Sequence, residues 1–113
     1  MFATRFGFAL LVLCCLPRPA SGQVELKNLE FRKRHDLTWD VSWRVDVLNR
    51  GTETVRVRLR FQLIDAEGFA VADDNGQLTV PPGDSLTYRE VRPFTPATYD
   101  AIKTMQVTGE TVP

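Results

Sequence analysis

Any general acid–base chemistry built on an imidazole would have to start from His35, the only histidine in the 113 residues. It sits in the run Arg32-Lys33-Arg34-His35-Asp36. A hydrolytic triad needs a nucleophile beside such a base and a carboxylate behind it. Downstream of Gly22 the only serines are Ser42 and Ser85, and neither lies in a G-x-S-x-G setting. Asp36 adjoins His35 in sequence and would orient it only across a sharp backbone bend. No nucleophile–base–orienter set is assembled, so the expectation is a non-enzyme.

Metal chemistry is equally thin. Zinc and copper sites draw on Cys and His, and both cysteines, Cys14 and Cys15, fall in the first fifteen residues. Calcium wants clustered oxygen ligands, which Asp65, Glu67, Asp73, Asp74 and Asn75 would supply. Their spacing does not match a twelve-residue calcium loop, and Gly68 and Gly76 read as turn residues. No metal or cofactor is expected.

What remains is recognition. Arg56, Arg58 and Arg60 alternate along one segment, and a guanidinium holds a carboxylate or phosphate bidentately. Arg32, Lys33, Arg34 and His35 form a denser group, expected in a loop, four residues before Trp39. Phe94, between Pro93 and Pro96, is the aromatic expected to be exposed, whereas Phe69 and Tyr99 are expected at the rim of a core. These basic residues and Phe94 are the candidate contact residues. The plainer reading is that both basic groups are simply solvated.

The N-terminus bears on location. Met1–Arg5 carries one positive charge, Phe6–Leu16 is an unbroken run of eleven apolar or small residues, and Ala20-Ser21-Gly22 follows two prolines. That is the layout of a secretory signal peptide, with Ala20 and Gly22 at the third and first positions before a cut after Gly22. As a helix, eleven residues would reach only about 17 Å, against a hydrocarbon core of roughly 30 Å. Membrane attachment would need lipidation at Cys14 or Cys15, but neither is preceded by the small residue that a lipobox requires. The expected domain is therefore 23–113, exported to the periplasm or secreted. It keeps 12 basic and 14 acidic residues, a formal net charge of −2, which offers nothing to bulk nucleic acid.

The elements that must position these residues read as strands. Trp39, Val41, Trp43, Val45 and Val47 alternate with Asp40, Ser42, Arg44 and Asp46. Val55, Val57, Leu59, Phe61 and Leu63 repeat the pattern around Arg56, Arg58, Arg60 and Gln62. Such period-two runs, rich in β-branched and aromatic types, mark half-buried strands. With Asn49-Arg50-Gly51-Thr52 as a turn, the two runs predict a hairpin that pairs Val47 with Val55 and Trp39 with Leu63. That register sets Asp46 opposite Arg56, Arg44 opposite Arg58, and Asp40 and Asp46 near Arg60 and Arg58. Val24–Arg32 reads as a first strand with a bulge near Asn28. Further short strands are expected at 69–72, 77–80, 85–91 and 101–108, with turns at 65–68, 73–76 and 81–84, a loop at 93–96, and no helix. Together these predict an all-β, immunoglobulin-like antiparallel sandwich of about seven short strands.

Phe61-Gln62-Leu63-Ile64-Asp65 resembles the motif that names the FxLYD family of small exported prokaryotic β-sandwich domains, with Ile64 where the motif has tyrosine. Asn49 and Gly51, the D-x-x-G turn from Asp65 to Gly68, and Pro82-Gly83 agree with it over Val45–Tyr88. The stretch from Arg60 through Pro93 and Ala97 is also similar to short periplasmic lipoproteins of sandwich type. The resemblance implies the fold and the cell envelope, and brings no catalytic or binding residue with it. Within the motif, Phe61 and Leu63 should be core, and Asp65 should accept amides of its own turn.

The functional expectation is a non-catalytic exported domain that acts by protein contact in the envelope, with free strand edges available for pairing. The alternative is a small-ligand or glycan module using residues 32–35 and Phe94.

Overall fold

The computed structural model describes residues 10–13 and 23–112, the first group as backbone only. The chain forms β1 (Leu10–Leu13), β2 (Val24–His35), β3 (Trp39–Asn49), β4 (Val55–Ile64), β5 (Ala70–Val80), β6 (Ser85–Phe94), α1 (Pro96–Ala101) and β7 (Thr104–Val112). One sheet runs β2-β3-β6 and the other β1-β7-β4-β5, each antiparallel throughout. In immunoglobulin terms β2, β3 and β6 stand as strands A, B and E, and β5, β4 and β7 as C′, C and F. β1 stands where G would pair with F. The sandwich expected from the alternation is therefore present. The cut expected after Gly22, and Cys14 and Cys15, lie outside the described residues. Among those residues, no helix is long and apolar enough to cross a membrane.

The alternating residues face inward as their period demands. Val41, Trp43, Val45 and Val47 of β3, and Val57, Leu59, Phe61 and Leu63 of β4, are all buried. The predicted hairpin between these strands does not form. β3 pairs with β2 and β6, with Trp43 opposite Phe31 and Glu90, while β4 pairs with β5 and β7. The chain crosses from one sheet to the other between Asn49 and Val55. A crossover lets each apolar face cover the other, so both become dry at once. Side by side in one sheet, the two apolar faces would still need a second layer to cover them. Trp39, expected inside, is only half-buried.

Three other expectations need correction. Residues 73–76 are no turn, since β5 runs through them. Along β5 the side facing the core reads Ala72, Asp74, Gly76, Leu78, Val80. Gly76 is there for room: a Cβ on it would sit 2.4 Å from Tyr88 Cζ. Residues 93–96 are no free loop, because β6 extends to Phe94 and a helix follows at once. Thr95 caps that helix, its Oγ1 accepting from the Thr98 amide at 3.3 Å, with Pro96 in the first turn. The last strand consequently starts at Thr104. The bulge near Asn28 is as expected: pairing shifts between Lys27 and Glu30, and Asn28 has φ +57°. Asp65 Oδ1 accepts from the amides of Glu67 and Phe69, at 3.0 and 2.8 Å, as the turn required.

The crossover is tied by Asn49, the one buried polar residue among those described, at 0% exposure. Its Nδ2 donates to Glu53 O at 2.7 Å and Val80 O at 3.0 Å, and its Oδ1 accepts from the Gly51 amide at 2.9 Å. One side chain thus holds the end of β3, the crossover and the end of β5. Across the sandwich, between β5 and β6, a polar group closes the edge. Tyr88 donates to Glu90 Oε1 at 2.7 Å, and Arg92 donates to Asp73 O at 2.9 Å and lies 3.9 Å from Asp74 Oδ2. Burial, and then the hydrogen bond to Asp74 and its charge, push the Glu90 carboxyl up, against the opposing Tyr88 hydroxyl and Arg92. Burial and the same carboxylates push the Tyr88 phenol up to about 12.

Three outcomes follow for stability. Asn49→Ala should cost about 2–3 kcal/mol in urea unfolding, because Val80 O and the Gly51 amide lose their partner in a dry setting. Gly76→Ala should cost about 1–3 kcal/mol by overpacking against Tyr88, with part of the loss recovered in the double variant Gly76→Ala/Tyr88→Leu. The third outcome is a pH dependence. A raised Glu90 binds its proton more tightly when folded, so its contribution is complete below the usual Glu value of about 4.3 and lost as pH rises through the raised one. Asp46 runs oppositely. Burial would raise it, but donors from Thr87 and Asn28 and the charge of Arg44 hold it low. Its contribution stands above about pH 4 and is lost as pH falls through the lowered value. Glu90→Gln should therefore flatten the urea midpoint on the rising side, and Asp46→Asn on the acid side.

Candidate functional site

The run Arg32–His35 is strand rather than loop, and strand geometry divides it between two faces. Lys33 and His35 fall on the core phase at the end of β2. Lys33 Nζ donates to Ile102 O at 2.8 Å and lies 4.5 Å from the centroid of the Tyr99 ring. Burial, and then the nearby charge of Lys103, lower its pKa against the opposing Asp100. His35 stacks on Trp39, its partner in the ladder, with centroids 4.6 Å apart, and leans on Tyr99 at 6.3 Å. This rim cluster ties the tip of the β2–β3 hairpin to α1. Its members hold one another.

Arg32 and Arg34 point the other way, onto the outer face of the β2-β3-β6 sheet. The ladders align this face in three rows: Arg34, Asp40 and Pro93; Arg32, Ser42 and Val91; Glu30, Arg44 and Arg89. Four arginines therefore surround Ser42. Two adjoining clefts open on the face, of about 320 and 330 Å³, both bordered by Ser42 and Val91. One is lined also by Leu37 and Thr38 at the hairpin tip, the other by Arg44 and Arg89. Val91 is 66% exposed and Leu37 92%. Arg44 spends Nη2 on Asp46 at 3.4 Å, while its Nε is buried without a hydrogen-bond partner. Exposed aliphatic groups among forked guanidinium donors suit a surface that receives apolar groups together with carboxylate or backbone acceptors.

The remaining sequence candidates lie elsewhere. Arg56, Arg58 and Arg60 sit on the outer face of the other sheet, away from Asp40 and Asp46, because β4 does not pair with β3. Arg60 pairs with Asp73 at 3.0 Å and Arg58 with Glu110 at 3.9 Å. Phe94 is half-buried against the core, with the Arg92 guanidinium 5.0 Å from its ring centroid, so the expected exposed aromatic is not presented. Phe69 has the reverse correction: expected at the rim, it is 69% exposed. Tyr99 packs at the rim as expected. Ser42 and His35 lie on opposite phases of their strands, and Ser85 opens β6 opposite Leu48. No group of three or more His, Cys, Asp or Glu side chains converges among the described residues.

Sequence reasoning missed Arg44, Arg89, Leu37 and Val91. Arg44 was placed opposite Arg58 by the wrong hairpin, and the others had no pairing to bring them beside Arg32. The strand phase of Arg44, Arg89 and Val91 was readable, but their lateral neighbours were not, and Leu37 lies in the tip between β2 and β3.

No family model matches the chain, and a search of curated proteins finds no match. Among solved structures, the chain is similar to the enzymatically active domain of tailspike protein 4 from bacteriophage CBA120. The alignment covers 94% of this chain and 17% of that one, at 11% identity and a TM-score of 0.33, too low to carry an argument about function.

Proposed function

We propose that this is a non-catalytic exported β-sandwich domain that works by protein contact in the cell envelope, through the outer face of the β2-β3-β6 sheet. The observation that carries this reading is the row Arg32–Ser42–Val91 between two clefts, beside the 92% exposed Leu37. Arginine is among the residues that carry the energy where proteins meet, and the exposed Leu37 and Val91 add apolar area between these arginines. Export is supported by the apolar run Phe6–Leu16 with small residues before Gln23. The FxLYD-like stretch Phe61–Asp65 supports the same compartment. The non-catalytic reading rests on the separation of His35 from Ser42 and Ser85, and on the rim contacts that occupy His35.

The test is in-cell photo-crosslinking with probes at Arg34 and Val91, and at Arg58 on the opposite sheet. A discrete protein adduct from Arg34 or Val91, absent from Arg58, is expected. Leu37→Asp combined with Arg32→Glu should remove the adduct and leave the melting temperature within a few degrees of wild type. Adducts from Arg58 alone, or from no probe, would sink this face as the contact.

A further inference from the structure

The two sheets leave two open sides. One is closed by the Tyr88–Glu90–Arg92 group between β5 and β6. The other lies between β2 and β7, and its floor is apolar: Val24 and Leu26 from β2, Val107 from β7 and Leu59 from β4 are all buried. The strands crowd here. A Cβ on Gly109 would lie 3.3 Å from side-chain carbons of both Leu26 and Leu59.

The edges of the sandwich are not alike. Natural sheets guard their edges with Lys, Pro, inward charges or bulges. β2 carries Lys27, Arg32, Lys33 and Arg34 and the bulge at Asn28. β6 carries Arg89, Arg92 and Pro93. β5 carries Asp73 and Asp74, with a register shift at its first pairing, and turns Asp74 inward. β7 has neither lysine, arginine nor proline and pairs with β4 without a shift; its one charge, Glu110, lies 3.9 Å from Arg58 of β4. The structure seats a strand on this unguarded edge. Leu10, Leu11, Val12 and Leu13 pair antiparallel with Glu110, Gly109, Thr108 and Val107, and β1 also lies against β2.

We propose that the β7 edge, over Val107–Glu110, is a strand-acceptor site for an extended apolar segment of a partner protein, added antiparallel in the place that Leu10–Leu13 takes in the unprocessed chain. The inference deepens the contact reading and rests on its exported, processed form, since removal of the residues before Gln23 is what clears the edge. Recognition would be mainly through the backbone. The acceptor amides and carbonyls of β7 extend the ladder, and alternate apolar side chains of the incoming strand cover Val24, Leu26 and Val107. The segment held by the precursor gives the ligand class: at least four residues, leucine- and valine-rich, without charge.

The probe is a synthetic peptide of Phe8–Leu13 with a lysine tail, titrated onto the protein purified from the envelope as processed there. Saturable binding that slows amide exchange at Val107–Glu110 is expected. A peptide with Leu11→Pro and Val12→Pro together should bind at least about tenfold more weakly, because one of two successive amides must face β7. Binding should be unchanged in the Leu37→Asp protein, which alters only the β2-β3-β6 face. No saturable binding, or protection confined to β5 or β6, would overturn the site. An intact mass showing that the exported protein retains Leu10–Leu13 would overturn the partner half of the proposal, since the chain then fills its own edge. Loss of the Arg34 and Val91 crosslinks with peptide binding intact would sink the sheet-face contact alone, so the two failures are distinguishable.

Discussion

Trp43, Phe61 and Tyr88 meet in the centre of the sandwich, and the other parts are arranged about that contact. Trp43 and Phe61 lie 5.7 Å apart across the two sheets, and Phe61 stacks on Tyr88 at 5.3 Å. Three rings from β3, β4 and β6 thus bind the sheets face to face, with aliphatic residues filling above and below. Aromatic pairs supply both large buried area and preferred geometry, so they fix the separation and stagger of the layers. The glycine at position 76 and the polar edge at Glu90 are consequences. Room must be left for the Tyr88 ring, and its hydroxyl must find an acceptor.

The same packing explains why the surface is divided as it is. Once β3 and β4 bury their apolar sides against each other, their polar sides must point in opposite directions, one from each sheet. The arginines of β4 are thereby separated from the acids of β3, and each set finds partners within its own sheet. On one side Arg60 and Arg58 meet Asp73 and Glu110. On the other, Arg44 meets Asp46, and Arg32, Arg34 and Arg89 lie around Ser42 and Val91 with Glu30 and Asp40 in the flanking rows. Charges that look like one balanced hairpin along the chain are thereby divided between two faces that point away from each other.

Asn49 and the β2–β7 side show how a small sandwich handles its polar backbone. The crossover after β3 carries carbonyls and amides into a dry region, and a single amide side chain has the donors and acceptor to meet them. At the β7 edge the need is the same but extends along a strand, and only another strand can supply so many partners at once. Along β7 there is neither lysine, proline nor bulge, and its one charge, Glu110, lies beside Arg58 of the neighbouring strand.

Much of this was legible in the chain. Period two assigned Val41, Trp43, Val45, Val47, Val57, Leu59, Phe61 and Leu63 to the interior, and the bulge at Asn28 and the turn at Asp65 showed in phase and residue type. Alternation reports which way a side chain faces, because successive residues of a strand point to opposite sides. It says nothing of which strand lies alongside, and that is where the reading failed. The β3–β4 hairpin, the placement of Arg44, and the turn supposed at 73–76 were all inferences about neighbours drawn from local signals. Gly76 looked like a turn residue until Tyr88, twelve positions on, was seen to need its space. Arg32–His35 looked like one basic cluster until a strand set its members alternately on the rim and the face. Alternation alone set which side of each strand faces the other sheet, through the free energy of burying every second side chain. The order of the strands within each sheet came from the fold, because it depends on contacts between residues far apart in the chain.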